Sequence, residues 1–153
     1  MTAGGPPGAP GDRENPEGTA RQWPITRDLD ALRDRVRRHA ARAGLDEART
    51  DDLMLAVNEA AINVLEHAGA HGTVAIWQDA DALTVDITDG AGRLSARHVP
   101  AGKPLVPGAR GYGLWLMCTL CDEFTVHQQE GRSRVRLRMA LREPGPAGGR
   151  PRR

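Results

Sequence analysis

A change of hydrophobic period limits the folds open to this chain more than any other feature. Between residues 29 and 64 the apolar positions recur every three or four residues, whereas from 74 to 87 and from 124 to 139 they alternate. The first period sets side chains on one face of a helix, and the second sets them on one face of a strand. Leu29, Leu32, Val36, Ala40 and Ala43 form one helical stripe, which Thr26 or Asp28 can cap and Gly44 ends. Leu53, Val57, Ala60 and Val64 form a second, on a helix that starts around Asp46 to Asp51, runs to about His67 and is closed by Gly69 and Gly72. Val74 and Ile76, then Leu83, Val85 and Ile87, predict two strands joined by the polar turn Asp79-Ala80-Asp81. Phe124 and Val126, then Val135, Leu137 and Met139, predict a second hairpin across Glu130-Gly131-Arg132. Trp23 and Ile25 suit a short edge strand, and the apolar run Leu114 to Leu120, preceded by glycines, predicts a buried helix. This order of elements predicts an α/β two-layer sandwich: a mixed, mostly antiparallel sheet with helices on one face.

Length and charge narrow the function classes. The 153 residues suit one domain with a single core. Lys+Arg 21 against Asp+Glu 20, for a net charge of +1, argues against a strongly basic nucleic-acid binder or a polybasic membrane-surface binder. No apolar run approaches the roughly 20 residues that span a bilayer, and the N-terminal stretch lacks the apolar segment of a signal peptide. A cytoplasmic protein without direct nucleic-acid or membrane contacts is expected. Residues 1–18 and 142–153 are rich in Gly and Pro and too poor in large apolar side chains to offset their ordering entropy. They are expected to be disordered tails around one domain, residues 19–141.

Three features can carry chemistry. Glu59, Asn63 and His67 stand at successive i+4 positions and so form one polar stripe, flanking the Val57/Ala60/Val64 face at the rim of the core. Taken alone, a solvated helix flank explains the stripe more simply. Ile87-Thr88-Asp89-Gly90-Ala91-Gly92 puts a carboxylate at a strand's end before glycines that allow a sharp bend and close approach of a ligand. An ordinary Asp-Gly turn is the plainer reading. Gly108-Ala109-Arg110-Gly111-Tyr112-Gly113 leads into the apolar helix, where free N–H groups and the positive helix end favour an anion. Its spacing is neither the dinucleotide fingerprint nor a Walker loop; a hinge before a core helix is the alternative.

In this order the three features resemble the ATP-binding fold shared by histidine kinases, type II topoisomerases and heat-shock chaperone ATPases. Among these, the chain looks like the single-domain anti-sigma-factor serine/threonine protein kinases. Leu55 to His67 (LAVNEAAINVLEH) is similar to the family's Asn-box helix, and Gly111 to Cys121 (GYGLWLMCTLC) resembles its second glycine box. The resemblance covers about Trp23 to Leu141. It implies that Asn63 coordinates Mg²⁺ bridging the ATP phosphates, and that Glu59 orients or deprotonates the attacking serine hydroxyl of a partner. It implies further that Asp89 accepts from the adenine amino group and that Gly92 lies against base and ribose. Residues 93–110 would form a lid, with Arg110, Gly111, Gly113 and Leu114 at the nucleotide and Ser133 where the family often has a threonine near the adenine. Phosphoryl transfer needs positioning and charge neutralisation more than covalent participation by the protein. The implied partners are a sequestered sigma factor and an anti-anti-sigma protein of the STAS type, with a homodimer expected on the same ground. One departure stands out: Asp89-Gly90-Ala91-Gly92 compresses the family's Asp-x-Gly-x-Gly. A nucleotide-gated binding module without catalysis is therefore the alternative.

Other patterns read as structural. Cys118 and Cys121 have no second pair for zinc and lie in a Leu/Trp/Met-rich helix, so both are expected in the core. His67 and His71 are separated by the helix-breaking Gly69. Arg132, Arg134, Arg136 and Arg138 alternate with Val135, Leu137 and Met139, as in a half-buried strand with a solvated face.

Overall fold

The computed structural model describes residues 21–67, 71–92, 94–103 and 111–141. The two expected tails, Arg110 and part of the expected lid lie outside the described residues. The elements are β1 (Arg21–Pro24), α1 (Leu29–Ala43), α2 (Glu47–His67), β2 (Gly72–Gln78), β3 (Ala82–Asp89), a 3-10 turn (Ala96–His98), α3 (Tyr112–Leu120), β4 (Glu123–Gln129) and β5 (Arg132–Ala140). Helix α1 starts where Asp28 Oδ1 accepts the Ala31 N–H at 3.0 Å. It stops at Gly44, which is left-handed at φ 81, with the Leu45 N–H closing on Ala40 O at 3.0 Å. Asp46 Oδ1 accepts the Arg49 N–H at 2.8 Å and so opens α2. Glu130 and Gly131, at φ 52 and φ 75, make the tight two-residue turn that joins β4 to β5.

The strands form one sheet in the order β1-β2-β3-β5-β4, and every pairing is antiparallel. β5 inserts between β3 and β4, so the connection from β3 to β4 crosses over it and carries α3. The sheet's inner face presents Val74 and Ile76, Val85 and Ile87, Val135, Leu137 and Met139, all buried. Against it pack Leu32, Val36 and Ala40 of α1 and Leu53, Val57, Ala60 and Val64 of α2. This is the helical stripe and the alternating stripe meeting, as the two periods require. Arg49 ties the start of α2 to the far end of the domain: its guanidinium bonds the Asp122 carboxylate and, at 2.7 Å, the Ala140 carbonyl oxygen. Asp122 Oδ2 also accepts the Ala140 N–H at 2.8 Å, which fixes the exit of α3 onto the sheet.

Two expectations are corrected. The outward arginines do not make a uniformly solvated face. Arg136 is 5% exposed and lies directly across from Asp86, donating from Nε to Oδ1 at 2.7 Å and from Nη2 to Oδ2 at 2.8 Å. Its guanidinium also stacks 5.2 Å from the Trp77 ring centre. Arg138 reaches Asp79 at 2.9 Å and Glu123 at 3.2 Å. Burial works against ionisation of Asp79, but the N–H groups of Asp81 and Ala82 together with Arg138 outweigh it, and the carboxyl titrates below its ordinary range. Helix α3, in turn, is only partly buried. Leu114 and Met117 enter the core, Trp115 and Leu116 are half-buried, and Cys118 is exposed. Only Cys121 is a core cysteine; burial, with Asp122 and Asp52 nearby, pushes its thiol up to about 12.

Removing one partner of a buried bidentate pair leaves the other charge without its counter-ion. Asp86→Ala is expected to lower the urea-unfolding free energy by about 3 kcal/mol, and adding Arg136→Met to recover much of that loss. Equal stability of Asp86→Ala and wild type in the same titration would show that the pair does not hold the sheet.

Candidate functional site

The polar stripe of α2 lies at the core's rim because its neighbours Val57, Ala60 and Val64 are driven inward, at 1%, 2% and 4% exposure. Asn63 and His67 then line one wall of a cavity of about 450 Å³. Asp89, at the end of β3, stands in the wall with Ile87, and the loop after it adds Ala91, Leu94 and His98. The start of α3 contributes Gly111, Gly113 and Leu114, and Val135 of β5 forms part of the floor. Apolar walls with a few convergent polar groups, at this volume, are the usual make-up of a small-molecule site.

Glu59 is one helical turn before Asn63, beside the cavity and outside the set of residues that form its wall. Gly113 joins them. A methyl group there would lie 3.1 Å from Glu59 Oε2 and 3.8 Å from Asn63 Nδ2, so the missing side chain is what lets α3 come close to the polar stripe. Gly111, at φ 88, is the N-cap of α3, and its carbonyl accepts the Trp115 N–H at 2.9 Å. The start of α3, which lines the cavity through Gly111, Gly113 and Leu114, thus has no side-chain cap for its N–H groups.

Asp89 Oδ1 accepts the N–H groups of Ala91 at 2.9 Å and Gly92 at 3.0 Å. Among the described residues, Oδ2 has no hydrogen-bond partner. Gly92 is buried and does not line the cavity. Its φ is 63, and a Cβ there would fall 2.4 Å from the Gly131 carbonyl carbon and oxygen, while the Gln128 amide donates to its own carbonyl. The glycine at 92 is thus required by the neighbouring β4–β5 turn. Ser133 is likewise behind the wall: its hydroxyl donates to Leu94 O at 2.6 Å and accepts the Leu94 N–H at 3.1 Å. It holds the loop after β3 against the sheet. Arg110 lies outside the described residues. Sequence reasoning passed over His98 and Leu94, because the loop that carries them has no period; the one local signal was the Ser95-x-x-His98 spacing of a side-chain-closed turn.

The site suits a nucleotide. Among the described residues, the wall holds a carboxylate oxygen without a hydrogen-bond partner, apolar side chains, and the start of α3, which has no side-chain cap. For a metal, the described residues hold no group of three His, Cys, Asp or Glu side chains that could enclose one. Asn63 could be one oxygen ligand of a Mg²⁺ whose remaining ligands are water and phosphate, the usual state of that ion. No helix among the described residues is long and apolar enough to cross a membrane.

The model of the histidine kinase-like ATPase domain matches residues 23–139. No curated protein matches the chain significantly. Among solved structures, the SiaB–SiaC complex from Pseudomonas aeruginosa is similar, with a TM-score of 0.62 and 17% identity over 78% of this chain and 88% of that one. The structure of the RsbU and RsbW domains of Rv1364c from Mycobacterium tuberculosis is similar too, with a TM-score of 0.57 and 17% identity over 78% of this chain and 32% of that one. The chain thus spans about a third of the chain in that second structure, and at this identity both likenesses concern the fold.

If Gly113 is bare to admit the α2 stripe, Gly113→Ala should leave urea-unfolding stability within about 1 kcal/mol of wild type. The flexible Glu59 carboxylate would give way, and the side-chain amide signal of Asn63 in an NMR spectrum should move. An unmoved amide would show that the approach of α3 is not what positions the stripe.

Proposed function

The chain belongs to the histidine kinase-like ATPase domain family, and from that premise we propose that it binds Mg·ATP in this cavity and phosphorylates a serine or threonine of a protein partner. The observation that carries the proposal is the approach at Gly113, which sets the Glu59 carboxylate and the Asn63 amide together beside the open N-terminus of α3. Phosphoryl transfer needs an anion cradle, a carboxylate placed for the incoming hydroxyl, and metal-borne charge neutralisation, with little covalent work by the protein.

Each residue then has a role. Asp89 Oδ2 accepts from the adenine amino group, and Ile87, Leu114 and Val135 supply apolar surface for the base. Backbone N–H groups around Gly111 and Gly113 hold phosphate oxygens. Asn63 Oδ1 binds Mg²⁺, which supplies charge neutralisation at the phosphates. Glu59 orients the partner's hydroxyl and takes its proton as the oxygen–phosphorus bond forms and ADP departs. Gly92 and Ser133 act from behind, holding the loop after β3 in place. The resemblance to the anti-sigma kinases supports an anti-anti-sigma protein of the STAS type as the phosphoryl acceptor and a sigma factor as the sequestered partner. That SiaB was solved in complex with a second protein, SiaC, is in keeping with a protein partner.

With labelled Mg·ATP and a STAS-type partner, Glu59→Gln is expected to lower the transfer rate by about 100-fold or more. ATP affinity should stay within about twofold, since Glu59 stands beside the cavity and not in its wall. Undiminished transfer by the variant would remove Glu59 from the reaction. Wild-type protein that binds ATP, changes its affinity for the partner and transfers nothing would favour the gated binding module, the reading that the compressed Asp89-Gly90-Ala91-Gly92 turn leaves standing.

A further inference from the structure

His98 stands in the cavity wall on the 3-10 turn Ala96–His98, an element that the roles above leave without a part. The turn closes on itself: the His98 N–H donates to Ser95 O at 3.0 Å, and the Ser95 N–H donates to His98 Nδ1 at 3.0 Å. The second bond fixes more than a shape. A backbone N–H can only donate, so Nδ1 must present its lone pair, and the neutral ring then carries its proton on Nε2. The Ser95 hydroxyl, 3.3 Å from the same Nδ1, adds to the hold on that side of the ring. Among the described residues Nε2 has no hydrogen-bond partner.

The turn's place in the fold says which part of a ligand this donor meets. A side chain at Gly111 would lie 3.9 Å from His98 O and 3.7 Å from Pro100 Cγ, so the turn packs directly on the N-cap of α3. His98 therefore stands in the cavity wall beside the uncapped start of α3, where the positive helix end favours an anion. Resting on the nucleotide reading of the cavity, we propose that His98 is a specificity residue: its Nε2–H donates to the anionic phosphate tail of the nucleotide, with Ser95 as the positioning residue that sets the tautomer. A donor there favours ATP and ADP over adenosine, because a hydrogen bond to a charged oxygen is worth more than one to a neutral group.

Calorimetric titrations of ATP and of adenosine into wild type, His98→Asn and His98→Gln test this. Asn keeps an acceptor for the Ser95 N–H but has no donor at the Nε2 position, whereas the Gln amide restores a donor near it. His98→Asn should bind ATP about tenfold or more weakly, with adenosine affinity unchanged, and His98→Gln should regain most of the loss. ATP binding by His98→Asn equal to wild type overturns the proposal, as does an equal loss of ATP and adenosine, the mark of a purely structural part. Wild type that binds neither ligand overturns the nucleotide reading itself, and this proposal with it.

Discussion

Everything at the site depends on how α2 is seated. Its inward face, Leu53, Val57, Ala60 and Val64, is buried to within a few per cent, and that burial fixes the helix's rotation about its axis. Each of those side chains contributes roughly 1 to 3 kcal/mol by leaving water. A polar side chain on the flank has no comparable force to set its direction. Glu59, Asn63 and His67 are therefore aimed by their apolar neighbours. The stripe follows the core's edge, and Asn63 and His67 line the cavity together with Val64 and Ile87.

The second requirement is a partner surface for that stripe, and it comes from α3. Two constraints hold this short helix. At its exit Asp122 is bound by Arg49 and by the Ala140 N–H, which ties α3 to the start of α2 and the end of β5. At its entrance Gly111 bends the chain and Gly113 leaves the gap that Glu59 and Asn63 fill. The loop after β3 is fastened separately, by the Asp89 carboxylate, the Ser133 hydroxyl and the contact of Gly92 with Gly131. The elements around the cavity are thus anchored mainly by contacts outside its wall, and Asp89, which is in the wall, uses Oδ1 for the loop.

Much of this was legible in the sequence, for reasons that can be named. The period of α2 gave both its buried face and the position of the stripe, since both follow from one rotation per ~3.6 residues. Alternation gave the strands, and Gly44 and Glu130-Gly131 gave two of the boundaries. What could not be read depends on which residues meet across the sheet. Arg136 looks like a solvated arginine until β3 and β5 pair and place Asp86 opposite it. The apolar run of α3 does not say that one side faces outward, so Cys118 was misplaced in the core. Gly92 carries the pattern of a ligand-contacting glycine, yet its tightest neighbour is a turn 39 residues further on (131 − 92). For His98 the Ser95-x-x-His98 spacing marks a turn, but nothing local says that this turn reaches a cavity once the chain has folded.

On the proposed function, α2, β3 and α3 together border a nucleotide site in which Asn63 holds the metal-bound phosphates. Calorimetric titration of ATP with Mg²⁺ into wild type and Asn63→Ala tests it most directly. Saturable binding at one site per chain is expected, weakened by about tenfold or more in the variant while its unfolding midpoint stays put. A folded wild type that takes up no ATP, or a variant that binds as tightly as wild type, would contradict it.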